Sequence, residues 1–163
     1  MKRIVAGAGL LGVLAACEPQ PDVAAIPASQ LNRDGCYTVD LYDDPYRRNE
    51  IQPAKQGLPR DWNRYLGTWG NGAWNGGQCH EIHVTEVYQD GSVVVIDTTA
   101  PFRDLRAESH RRAARIDRQG RLVVPSTVGA TVYVFNDRGQ LRGTRFRNDG
   151  DVDQVILTAQ SAG

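Results

Sequence analysis

His80-Glu-Ile-His-Val-Thr-Glu-Val-Tyr-Gln-Asp-Gly-Ser-Val-Val-Val-Ile-Asp-Thr98 decides the fold. Two β-rich runs, His80–Tyr88 and Ser92–Thr98, flank Gln89-Asp90-Gly91. An Asp-Gly step tolerates positive φ and closes a tight hairpin. In the first run His80, Ile82 and Val84 share one face, and Glu81, His83 and Thr85 share the other. The pattern repeats outward in both directions. Further strands are expected at Gly67–Trp74, Arg112–Ile116, Arg121–Pro125, Thr131–Asn136, Leu141–Arg147 and Val152–Thr158. They are separated by Arg118-Gln119-Gly120, Asp137-Arg138-Gly139 and Asn148-Asp149-Gly150, and no long pattern of period 3.6 interrupts them.

Consecutive hairpins predict a mainly β chain, an antiparallel meander that removes its edges by closing into a barrel of about eight strands. A β-sandwich is the alternative. Val93–Ile96 and Val132–Phe135 are apolar on both faces, so part of the outer surface needs a cover, for which the segment 36–64 is the candidate. Residues 43–64 read as irregular, with prolines at 45, 53 and 59, and Asp61–Leu66 is long enough for one helical turn. Cys36–Tyr42 could form a first short strand. Residues 101–115 fit a helical turn, a loop or a frayed strand equally well.

The amino end carries an address. Lys2 and Arg3 precede about a dozen apolar residues that end in Leu14-Ala15-Ala16-Cys17, the layout of a secretory signal. The run is shorter than the roughly 20 residues needed to span a bilayer. Leu14-Ala15-Ala16-Cys17 resembles the lipobox of bacterial lipoproteins. That resemblance implies cleavage after residue 16, a diacylglyceryl thioether on Cys17 and, as a rule, an acylated new amine. Two or more acyl chains hold a protein stably on a membrane. Glu18 in place of aspartate inclines the expected address to the outer membrane, facing the periplasm. The expected organisation is a signal peptide at 1–16, a lipidated tether at 17–35 and a β-domain at 36–163.

The 163-residue chain has 19 basic and 19 acidic residues, and loss of Lys2 and Arg3 leaves a balance of −2. Nothing in that balance points to nucleic acid. With Cys17 lipidated, Cys36 and Cys79 are left to pair in an oxidising compartment, closing a loop of about 40 residues. The competing reading of Cys79, His80 and His83 as metal ligands is disfavoured, because 80 and 83 lie on opposite faces of a strand. No cofactor is indicated.

Gly67-Thr-Trp69 and Gly72-Ala-Trp74 form a doublet. A Gly-x-Trp on a first barrel strand resembles the calycins, that is, lipocalins and avidins. There the tryptophan plugs one barrel end under a late arginine, a part open here to Arg145 or Arg147. The wider stretch Leu66–His80 is similar to a small β-domain of bacterial envelope proteins that brings no activity with it. Trp74, between glycines and amides, could stack a sugar ring, and His80 beside aliphatics reads as a core histidine. Seven arginines lie between Arg103 and Arg121. If they converge, Arg111, Arg112 and Arg115 form an anion-binding face; otherwise they are solvated and balanced by Asp104, Glu108 and Asp117. No nucleophile elbow is present, and the separation of Asp97, Asp104 and Glu108 is not fixed by sequence. The expectation is a non-catalytic lipoprotein that binds an envelope protein, a glycan or a small ligand. A role in envelope integrity and a small hydrolase are the alternatives. Inhibitors of lysozymes and proteases share the general design, which is an analogy of fold.

Overall fold

The computed structural model describes residues 49–160. The signal peptide, Cys17, the tether, the first short strand and Cys36 lie outside the described residues. A single helical turn, α1 (Arg60–Asn63), precedes eight strands: β1 (Gly67–Trp74), β2 (Gln78–Val87), β3 (Ser92–Thr99), β4 (Glu108–Ile116), β5 (Leu122–Ser126), β6 (Gly129–Phe135), β7 (Leu141–Arg147) and β8 (Val152–Gln160). Each pairs antiparallel with the next, and β8 pairs back onto β1 to close the barrel. The meander reading holds and the sandwich alternative does not.

Two bulges set which side chains point inward. Trp69 pairs with Ile82, but Gly72 already pairs with His80, so β1 carries one extra residue there, and Asn71 takes a left-handed φ of 57°. Strict alternation would place Trp69 and Trp74, five residues apart, on opposite faces. The extra residue brings both inside. A second bulge between Val84 and Glu86 does the same for Val84 and Val87. Thr85, at the bulge, donates its hydroxyl to Val94 O at 3.2 Å and accepts the Gln52 N–H on its own carbonyl at 2.8 Å. That hydrogen bond lays the irregular 49–59 segment against β2, where Lys55 sits 3.4 Å over the Tyr88 ring.

The barrel is filled at one end. Val84, Val87, Val93, Val95, Ile116, Leu122, Leu141 and Leu157 pack inside it with Trp69 and Tyr65. The residues after α1 close this end. Tyr65 donates its hydroxyl to Gly120 O at 2.8 Å, and Trp69 Nε1 donates to Tyr65 O at 2.9 Å. Phe135 lies edge-on to Trp69 at 5.4 Å, with Arg64 at 4.1 Å over its ring. The arginine at this end is thus an early one, Arg64, while the late Arg145 lies over the second tryptophan, Trp74, at 4.3 Å.

The ambiguous 101–115 stretch is resolved into two parts. Phe102–Leu105 forms a tight bridged turn, and β4 begins at Glu108, four residues before the strand expected from Arg112. All eight residues of β3 pair with β4, from Ser92 with Arg115 to Thr99 with Glu108. The ladder extends the strand through a sequence whose charge reads as loop. On the far side β4 pairs with β5 only at Arg115 and Ile116. The wall is therefore parted between β4 and β5 towards the other end.

Gly72 is required by this closure. A Cβ on it would stand 2.3 Å from Ile156 O, a backbone atom that cannot swing away. Gly72→Ala is expected to lower unfolding free energy by about 3 kcal/mol, as overpacked cores do, measured by equilibrium denaturation.

Candidate functional site

The inner face changes character halfway along the barrel, where three rings span it. His80 is fully buried. Its Nδ1 faces the Thr98 carbonyl at 3.0 Å, which can only accept, so Nδ1 carries the proton. Nε2 then accepts from the Tyr133 hydroxyl at 2.7 Å, across the interior. Trp74 packs against the imidazole at 4.7 Å between centroids. Burial holds His80 below its ordinary pKa, against the pull of Asp97 and the Thr98 carbonyl. Burial likewise pushes the Tyr133 phenol far up, so it stays a donor.

Beyond this layer the barrel opens into a polar mouth. One cavity of about 170 Å³ lies where β4 and β5 part, lined among others by Trp74, Gln78, Asp97, Arg112, Thr131 and Arg145. A shallower one of about 410 Å³ adjoins it across Trp74 and the Phe102–Leu105 turn. Arg112 donates Nε to Asp97 at 3.0 Å. Arg145 donates Nε and a terminal nitrogen to Asp153 at 2.9 and 2.6 Å while its guanidinium lies 4.3 Å over Trp74. Trp74 thus has His80 on one side and Arg145 on the other. Both contacts compete with a sugar for the ring face, while Trp74 still lines the two cavities of the mouth. Its Nε1 is buried without a hydrogen-bond partner. Leaving such a donor unpaired costs about 1–3 kcal/mol.

The arginine-rich stretch does not converge, because a strand sends alternate residues to opposite faces. Arg112 points into the mouth. Arg111 points out and pairs with Glu86 at 3.2 Å, and Arg115 faces a separate surface hollow beside Asp90. Arg121 is tied to Asp117. Of the contact residues read from the sequence, the mouth brings together Trp74 and Arg112 and leaves Arg111 and Arg115 elsewhere. Asp97, Thr131, Arg145 and Asp153 were not read as one site. They come from four strands, and only the hairpin register that pairs Arg145 with Asp153 could have linked any of them.

Cys79 is not a free thiol. His83 pairs with Glu81 at 2.9 Å on the outer face, away from His80. Among the described residues no three His, Cys, Asp or Glu side chains gather as a metal site. Of the carboxylates in the catalytic reading, Asp97 is held by Arg112 and lines the mouth, Glu108 lines it 3.4 Å from His110, and Asp104 lines neither cavity.

No known protein family, curated protein or solved structure matches this chain. The mouth must therefore be read from its own chemistry. Its floor is neutral and locked, since each half-buried arginine there, Arg112 and Arg145, has its carboxylate. Its reactive capacity is for hydrogen bonds and charge at the rim.

The state of His80 gives a pH dependence. An unfolded histidine titrates near 6.5, and the folded one below that. Between the two values the unfolded chain binds the extra proton, so this contribution to stability is whole above about pH 6.5 and is lost as pH falls. Melting temperature should decline as pH falls below about 6.5. In His80→Gln that decline should be absent, leaving only the carboxylate losses near pH 4.

Proposed function

We propose that this chain is a lipid-anchored lipoprotein of the bacterial envelope, held through Cys17 at the outer membrane facing the periplasm. Its barrel is a non-catalytic module that binds at its mouth. The observation that carries the binding reading is the distribution of filled space. Side chains occupy one end; at the other the deeper cavity is about 170 Å³, and the adjoining 410 Å³ is a shallow hollow on the surface rather than space inside the barrel. Pockets that enclose a whole small ligand run to about 300–1,000 Å³. Carriage of a small molecule inside the barrel is thus disfavoured, and recognition of a group presented from outside is favoured. The two deep carboxylates, Asp97 and Asp153, are engaged with Arg112 and Arg145, which supports binding over catalysis there, because a general acid or base must be free to reach its substrate.

The anchor rests on the lipobox resemblance, and the site does not depend on it. The Cys36–Cys79 bridge belongs to the same proposal, supported by the bonded state of Cys79. Such a bridge ties the amino-terminal segment to β2, which bears on the mouth end of the barrel through Gln78 and His80.

Mass spectrometry of the protein from its native cells should find the thioether lipid on Cys17 and a Cys36–Cys79 crosslinked peptide. An unmodified thiol at position 17 refutes the anchor. Reducing the bridge should lower unfolding free energy by about 3–4 kcal/mol. Binding is tested in intact cells with a photo-reactive side chain at Val128, beside the mouth, and at Arg138, in the turn at the filled end. A discrete adduct from position 128 and none from 138 is expected, and its absence at 128 defeats the binding reading.

A further inference from the structure

Among the described residues three large apolar side chains are exposed, and two of them, Leu105 at 54% and Val128 at 46%, flank the mouth. Exposed apolar side chains grouped at a cleft mark a contact surface. The charge there is unbalanced. Arg103, Arg106, Arg112, Arg145 and Arg147 line the two cavities, against Asp97, Glu108 and Asp153, an excess of two positive charges. The deep arginines are neutralised by Asp97 and Asp153. Arg103 and Arg106, on and after the Phe102–Leu105 turn, make no ion pair among the described residues; Arg103 lies 5.1 Å over the Phe102 ring, and the exposed Asp104 between them lines neither cavity. The excess therefore sits at the rim.

The turn itself is strained. Phe102 and Leu105 exchange both backbone hydrogen bonds, at 3.1 and 2.9 Å, and between them Arg103 adopts φ 54°, a region that favours glycine. An arginine held there costs stability, and such outliers gather at binding and switch sites. Here the strained residue carries one of the two unpaired charges, and the turn also displays Leu105.

We infer that the barrel mouth receives an extended acidic segment of a partner protein, with a carboxylate between Arg103 and Arg106 and apolar neighbours against Leu105 and Val128. This deepens the binding-module reading and rests on it. A carboxylate suits arginine forks in geometry and charge. An acidic lipid suits them less, because the filled barrel offers no channel for an acyl chain. The narrow cavity admits one side chain rather than a bulky headgroup. Trp74 lines both cavities, so its indole N–H reports on occupancy of the mouth.

The test uses the full-length lipidated protein in detergent micelles, following the indole N–H resonance of Trp74, assigned by loss in Trp74→Phe. The probes are acetyl-Val-Leu-Asp-Leu-Val-amide and its versions with Asn or Lys at the centre. The Asp peptide should shift the resonance saturably, the Asn peptide should bind at least about tenfold more weakly (1.4 kcal/mol), and the Lys peptide should not bind. Salt should weaken the Asp peptide. Arg106→Gln and Arg103→Gly should each reduce its affinity about fivefold or more. Arg103→Gly relieves the backbone, so its melting temperature should be no lower than that of the parent, which separates lost binding from lost folding. Equal binding of the Asn or Lys peptide, or no effect of either variant, overturns the acidic-segment inference and leaves the binding module standing. So does a shift produced by phosphatidylglycerol vesicles and not by the Asp peptide. No binding by any peptide, together with no adduct at position 128, removes both.

Discussion

The hydrogen bond from the Tyr133 hydroxyl to His80 Nε2 divides the molecule. It spans the interior between β6 and β2 and marks the level at which side chains stop being apolar. A buried imidazole and phenol without partners would each lose the hydrogen bonds that water had supplied. Here each satisfies the other, and Thr98 O fixes the tautomer that makes this possible. Trp74 covers the imidazole, Arg145 covers Trp74, and Asp153 holds Arg145. This succession runs from the dry core to the wet mouth with charge appearing only at its last members. A polar rather than aliphatic residue at position 80 is therefore what lets the barrel be solid below and hydrated above.

Closure imposes the other constraint. A sheet rolled into eight strands has an interior just wide enough for its own side chains, so the mix of sizes facing in must suit the space. Two large indoles point inward from β1 because an extra residue at Asn71 resets the pleat between them. Their bulk is matched by Gly72 and Gly143, whose missing side chains leave room for Leu157, Val155 and the Tyr133 ring. The Gly-Trp doublet and the late glycine of β7 are thus complementary halves of one packing arrangement, though far apart in the chain.

What could be read from the sequence follows from this. Hairpins announced themselves through Asp-Gly and Gln-Gly steps, and β1 and β7 fall at Gly67–Trp74 and Leu141–Arg147, the bounds their composition gives. His80 was legible as a core residue because Ile82 and Val84 share its face. The start of β4 was not. Glu108, His110, Arg111 and Arg112 carry no β signature, and they are strand only because β3 supplies a full row of partners. That misreading spread to the site. Once β4 is known to begin at Glu108, alternation separates Arg111 from Arg112 as well; the strand expected from Arg112 already set Arg115 on the opposite face. Arg145 was seen as a partner for a tryptophan, but the bulge decided which one. A bulge of one residue leaves little trace in composition and sets Trp69 and Trp74 on the same face of β1.

The near-neutral balance of the whole chain conceals a local arrangement of opposite kind. Deep in the mouth, arginine and carboxylate meet in pairs about one-fifth exposed, such as Arg112 with Asp97. There an unpaired charge would carry a heavy desolvation cost. Those pairs fix side-chain positions and leave little net field. At the rim, where water bears most of the cost, Arg103 and Arg106 can stay unpaired, and a charge without an internal partner is free to attract an external one. Screening limits its reach to about 10 Å at 0.1 M salt. The rim arginines therefore act on what already lies near the mouth, and the exposed Leu105 and Val128 supply the short-range part of the contact. Paired charges shape this surface and unpaired ones give it a preference, which is why the number of arginines in the stretch says less about its chemistry than the side of the strand each one occupies.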